Sequence, residues 1–135
     1  MLEEESKIFE LYISQFSEST NEYDKFIGKL KSFEDFKYNN YSIPGKTSKK
    51  ELLEQMKTVD VVVLLSGYYS VDKDTVQRIL DTAVELKKPI VIIRPYGMEN
   101  VPGSIEKAAS EVVGWNAMCI IDSIRESLEE EEYED

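Results

Sequence analysis

The side chains of this sequence that could do chemistry gather in a few short segments. Ser14, Gln15, Phe16 and Ser17 form one, Ser66, Gly67, Tyr68 and Tyr69 a second, and Ser42 and Lys46 bracket Ile43-Pro44-Gly45 in a third. Together they offer hydroxyls for a sugar, aromatic faces for a base or ribose, and one cation for a phosphate. That mixture suits a nucleotide, and it suits a protein surface equally well. Arg94, in Arg94-Pro95-Tyr96-Gly97, is a further cation that could face an anion or a helix end. With no histidine, the usual nucleophile–base triads and histidine-based zinc sites are excluded, and no metal-ligand pattern remains. A single cysteine, Cys119, excludes an intrachain disulfide or a CxxC site and reads as a small core residue. Neither a Walker loop nor a GxGxxG turn is present.

Composition narrows the partners. A chain of 135 residues with 41% hydrophobic side chains is sized for one domain with a real core. Lys+Arg total 16 against Asp+Glu 27, a formal charge of -11, which argues against nucleic acid or an anionic membrane as partner. No apolar run approaches the roughly 20 residues of a membrane span, and the start, MLEEES, is acidic, unlike a signal peptide. The expectation is a cytoplasmic domain in a reducing compartment.

The elements that must position these side chains alternate. Val59 to Ser66 (VDVVVLLS) is a short, nearly continuous apolar run rich in β-branched residues, as expected of a strand covered on both faces. Pro89 to Arg94 and Ile8 to Ser14 are similar, Phe36 to Tyr41 suits a polar edge strand, and Glu111 to Val113 a short last strand. Between them, Glu22 to Phe33, the stretch opened by Thr47-Ser48 with Glu51 closing a capping box, and Asp74 to Lys87 carry apolar stripes at helical spacing. A short helix follows Pro102-Gly103-Ser104, and Asn116 caps the last one. This is a single α/β domain over residues 1–128 with an acidic tail at 129–135. It predicts a flavodoxin-like three-layer sandwich around a five-stranded parallel sheet of order 2-1-3-4-5. In such sheets ligands bind beyond the carboxyl ends of the strands where the order reverses, here between strands 1 and 3. All three hydroxyl-rich segments fall at that edge. The ends of strands 1 and 3 are serines rather than the acids of a phosphate-accepting receiver, and the loop after strand 1 lacks the glycine of a flavodoxin phosphate loop.

YISQFSES from Tyr12, Tyr41-Ser42, VDVVVLLSGYYS from Val59, AVELKKPIVIIRPYG from Ala83 and EVVGWNAMCIIDSI from Glu111, taken in that order and spacing, resemble the TIR-like domains. The likeness is to the short prokaryotic branch that includes the TIR-like protein of the Thoeris anti-phage system, and it covers roughly residues 7–127. It implies a flavodoxin-like fold, a role in signalling or defence, and association with a protein partner or a second copy of the chain. Many prokaryotic members cleave the nicotinamide–ribose bond of NAD, using a glutamate on the helix after strand 3. That carboxylate binds ribose hydroxyls and stabilises the oxocarbenium-like charge as nicotinamide leaves.

The family pattern, Ser-x-Trp-x-x-x-Glu-Leu/Ile-x-x-Ala ahead of Lys-Pro, is not met here. Anchored on Ala83 and Lys88-Pro89, its tryptophan falls on Thr75 and its glutamate on Ile79, which belongs to the helix's apolar stripe. Nucleoside-processing transferases of similar pattern want a nucleophilic glutamate in the same region and meet the same gap. Asp81 lies about 200° around the helix from Ile79. Asp72 shares its face but sits about 10 Å along the axis, the nearest stand-in on that helix. Glu18, after strand 1, is a separate catalytic candidate. The expectation is therefore a nucleotide- or protein-binding module without NAD turnover, with NAD as ligand or substrate and no resident cofactor. The alternatives are an NAD glycohydrolase or cyclase and, behind it, a nucleoside-processing transferase.

Overall fold

The computed structural model describes residues 7–15, 21–97 and 100–133. Strand β3 (Val61–Leu65) is buried at every residue and lies in the middle of the sheet. Its β-branched side chains pack on both faces of a pleated surface, which is why no polar residue interrupts the run. Around it lie β1 (Ile8–Ile13), β2 (Lys37–Asn40), β4 (Ile90–Ile93) and β5 (Glu111–Val113), in the order β2-β1-β3-β4-β5 and all parallel. Leu11 stands beside Val61 and Val63 beside Val91, so the apolar centres of three strands are in register. Both the five-stranded flavodoxin-like sandwich and its strand order are as expected. β2 (KYNN) alternates exposed and half-buried residues because it has a neighbour on one side only.

The helices are α1 (Asn21–Lys31), α2 (Lys49–Met56), α3 (Lys73–Glu85), α4 (Gly103–Glu106) and α5 (Ala117–Tyr133). Right-handed crossovers put α1 and α5 on one face and α2 and α3 on the other, and α1 does contact α5 and α2 contacts α3. Phe26 and Leu30, Leu52 and Met56, Val76, Ile79, Leu80 and Ala83, and Ile120, Ile121 and Ile124 carry these stripes into the core. Ser48 caps α2, accepting from the Glu51 amide while the Glu51 carboxylate accepts from the Ser48 amide, a complete capping box. α5 continues to Tyr133, so the first part of the acidic run from 129 is helical backbone. No helix among the described residues is long and apolar enough to cross a membrane.

α3 ends in a Schellman motif. The Lys88 amide donates to the Ala83 carbonyl and the Lys87 amide to the Val84 carbonyl, with Lys87 at φ 59°. A lysine in that left-handed conformation holds its Cβ close to a carbonyl oxygen, a strain glycine lacks. Lys87→Gly is therefore expected to stabilise the protein by about 0.5–1 kcal/mol, the relief of strain exceeding the added chain entropy. A urea midpoint unchanged or lowered would refute this.

Candidate functional site

The hydroxyl-rich segments do reach the carboxyl edge of the sheet, but they divide into two groups with different work. On the β1–β2 side the polar groups satisfy each other. Ser14 is fully buried; its amide donates to Val63 and its Oγ accepts from the Leu65 amide at 3.0 Å, carrying the β1–β3 ladder past the last paired residues. Gln15 Nε2 donates to Ser42 Oγ at 2.8 Å, and Asn40 Oδ1 accepts from the amides of Ile13 and Ser42. Buried Gln55 pins the next turn, accepting from the Ile43 amide and donating to the Lys46 carbonyl. Pro44 and Gly45 form that turn, glycine supplying a φ of 80° that a type II turn requires, and Lys46 is exposed at its end. Ser14, Gln15 and Ser42 thus serve the scaffold. Phe16, Ser17 and Glu18 lie outside the described residues.

On the β3–β4 side there is a cleft. Ser66–Ser70 is a 3-10 turn rather than an open loop, and it separates the two tyrosines. Tyr68 turns inward and is buried; burial first, then the charge of Glu22, pushes its pKa up to about 12. Tyr69 turns outward, its hydroxyl 2.8 Å from Ser104 Oγ. Ser66 donates to the Ile93 carbonyl at 2.7 Å and is buried, stitching β3 to β4 as Ser14 stitches β1 to β3. Beyond these strand ends opens a cleft of about 510 Å³, bordered by Glu22, Gly67, Tyr69, Tyr96 and Val101 among others.

Glu22 is the residue that sequence reasoning missed. It sits in the first turn of α1, where the helix dipole favours a negative charge. Its Oε2 accepts the Tyr96 amide at 2.9 Å, across 74 residues. The carboxylate lies directly on Gly67: a Cβ there would sit 2.6 Å from the Glu22 Cδ and nearer still to both oxygens. A glycine at the end of β3 thus leaves the seat in which the acid rests. The available signal was topological, since the first turn of the helix after β1 must start at the carboxyl edge of a doubly wound sheet. Read for periodicity alone, Glu22 was only the first residue of a helix.

The loop after β4 is fixed from below. Trp115 Nε1 donates to the Arg94 carbonyl at 2.8 Å, and its ring meets Tyr96 edge-on at 5.1 Å and Phe26 at 6.1 Å. Arg94 extends its guanidinium toward Gly114 and does not border the cleft.

The carboxylates weighed on the helix after β3 fare differently. Ile79, the residue on which the expected family pattern sets its glutamate, is fully buried in the core. Asp72 is exposed and is the N-cap of α3; the Thr75 amide and hydroxyl hold its carboxyl below the usual carboxylate range, and it does not border the cleft. Cys119 corrects an expectation: it is exposed, because Ile120 and Ile121 take the inward positions of α5 and leave 119 outside. Its amide instead receives the Asn116 cap, 3.1 Å from Oδ1.

A family model described as Thoeris protein ThsB, TIR-like domain, matches residues 6–100, which span β1 to β4 and all of the cleft named above except Val101. No curated protein matches the chain. With that match over most of its length, on a parallel sheet of order 2-1-3-4-5, the chain belongs to the TIR-like domain family of the Thoeris protein ThsB, and is a signalling- or defence-associated TIR-like module.

Proposed function

We propose that the protein is a binding module that holds a nucleotide in the cleft beyond β3 and β4 and does not turn over NAD. The observation that carries this reading is the pairing of a formed cleft at the carboxyl edge with a buried isoleucine where the family's NAD-cleaving members place their glutamate. Such a module passes the binding event to a protein partner or to a second copy of the chain. Incubation of concentrated protein with NAD is expected to release no nicotinamide, while NAD raises the melting temperature, as any ligand specific to the folded state must.

A second reading is favoured by Glu22, whose carboxylate enters the cleft from α1. An NAD glycohydrolase would use it to stabilise the ribosyl cation as the glycosidic electron pair departs on the nicotinamide nitrogen, with water completing the reaction. Steady nicotinamide release abolished by Glu22→Gln would establish that reading and overturn the first. Neither release nor a melting shift would remove the nucleotide from both.

A further inference from the structure

The sheet ends at β2, which has β1 on one side and no strand on the other. The Tyr41 amide donates back to the Leu11 carbonyl of β1. Peptide groups alternate along a strand, so those of Asn39 also turn toward β1, and those of Tyr38 and Asn40 point away from the sheet. Beside this open edge runs a groove of about 440 Å³. Tyr38 and Asn40 line it from β2, and Asp24, Ile27, Gly28 and Lys31 line it from α1. The four helix residues recur at i, i+3, i+4 and i+7, a single stripe. It carries a carboxylate at one end and an ammonium about 10 Å along the axis at the other. Gly28 is exposed, and a Cβ there would meet nothing within 4 Å. Glycine in mid-helix weakens α1, yet it leaves the middle of the stripe bare.

This stripe is complementary to itself. Turned about a two-fold axis midway between residues 27 and 28, Asp24 faces Lys31 of a second copy, Lys31 faces its Asp24, and each Ile27 lies over the other copy's bare Gly28. The strand fits the same operation. A two-fold perpendicular to the sheet keeps its faces, so centred on Asn39 it sets Tyr38 opposite Asn40 of the second copy. Both residues turn their peptide groups outward, and each such pair exchanges two backbone hydrogen bonds. The groove has Asn39 midway along its strand side and residues 27 and 28 midway along its helix side, so one axis serves both. Spacing agrees as well. A crossover helix lies over the strands it joins, so strands about 4.8 Å apart put the two α1 axes about 10 Å apart, close to the separation of packed helices.

We infer that the β2 edge and the α1 stripe beside it are the docking surface for a second copy of the chain, which pairs antiparallel across a two-fold axis and continues the sheet. The inference goes beyond the nucleotide reading and holds whether or not the cleft beyond β3 and β4 is occupied.

Sedimentation velocity of the whole chain over about 5–500 µM tests it, in salt of about 0.15 M. At that ionic strength the mutual repulsion of two chains of charge -11 is screened, while pairs in contact are screened less. A shift from monomer to dimer with rising concentration is expected. Gly28→Gln fills the bare position with a good helix former, so dilute protein should melt no lower than the original while the dimer weakens about tenfold. Asp24→Lys and Lys31→Asp each set like charges across the axis. Each variant alone should dimerise about tenfold more weakly, and the two mixed should regain the affinity, because the mixture restores both opposite pairs. A monomer at every concentration overturns the inference. So does a dimer that Gly28→Gln leaves unchanged, or charge variants that dimerise normally alone or gain nothing when mixed, since the copies then meet elsewhere.

Discussion

Replacing Ile79 with glutamate is expected to unfold the protein rather than to build an active site. The residue is fully buried in the stripe that α3 lays on the sheet. The substitution removes an aliphatic side chain from a packed core and brings in a carboxyl with no partner there. A cost of about 4 kcal/mol or more follows, a large part of the 5–15 kcal/mol that holds a typical domain together. Ile79→Val, which deletes one methylene, should cost only about 1 kcal/mol. The glutamate variant should also acquire a pH dependence with a definite sign. Burial raises the folded-state pKa above the unfolded value near 4.3, so the charging penalty is absent below about pH 4 and grows as pH rises toward the folded pKa. Urea titrations at several pH values would measure this directly. A folded Ile79→Glu protein as stable as the original, or one that gains NAD cleavage, would mean that this helix face is open and that position 79 belongs to the site.

Trp115→Ala is expected to cost about 2–3 kcal/mol and to weaken the cleft with it. The ring is half-buried, which sets the loss below that of a fully buried tryptophan, but it holds three things at once. It packs edge-on against Phe26 of α1 and against Tyr96, and its indole donates to the Arg94 carbonyl. Alanine leaves that carbonyl without its donor and frees the loop whose Tyr96 amide orients Glu22. Trp115→Phe keeps an aromatic ring and loses the hydrogen bond, so it should cost about 1 kcal/mol. Both stability and NAD affinity should therefore fall together in the alanine variant and only slightly in phenylalanine. An alanine variant with lowered stability and unchanged NAD affinity would show that the loop after β4 holds its shape without the indole.

The elements were legible because their signals are local. A continuous apolar run such as Val61–Leu65, led by three β-branched valines, is what a strand covered on both faces of a parallel sheet carries, and Ser48 and Glu51 satisfy the start of α2 within four residues of chain. Ile79 was legible as core for the same reason, since Val76, Leu80 and Ala83 share its stripe. The loops were not readable in this way. Ser14, Ser42, Ser66, Gly67, Tyr68 and Tyr69 looked alike as polar or aromatic groups at one edge of a sheet, and composition could not divide them. Cys119 was misplaced because its small apolar character suits either side of a helix, and only the packing of Ile120 and Ile121 decided which side faces in.

By itself, then, the sequence determined the alternation of strands and helices, the parallel sheet whose carboxyl edge carries the polar loops, and the burial of Ile79 in the stripe of α3. Tertiary structure decided which side chains stand at that edge with room for a ligand. It sent Ser14 and Ser66 into the backbone ladder, turned Tyr68 in and Tyr69 out through a 3-10 turn, and set Glu22 over Gly67 beneath the Tyr96 amide. The physical reason is range. Periodicity reports how a residue faces relative to its own element, whereas the Glu22 carboxylate meets groups 45 and 74 positions away (67 − 22 and 96 − 22) only after the crossovers have brought three elements to one corner of the sheet.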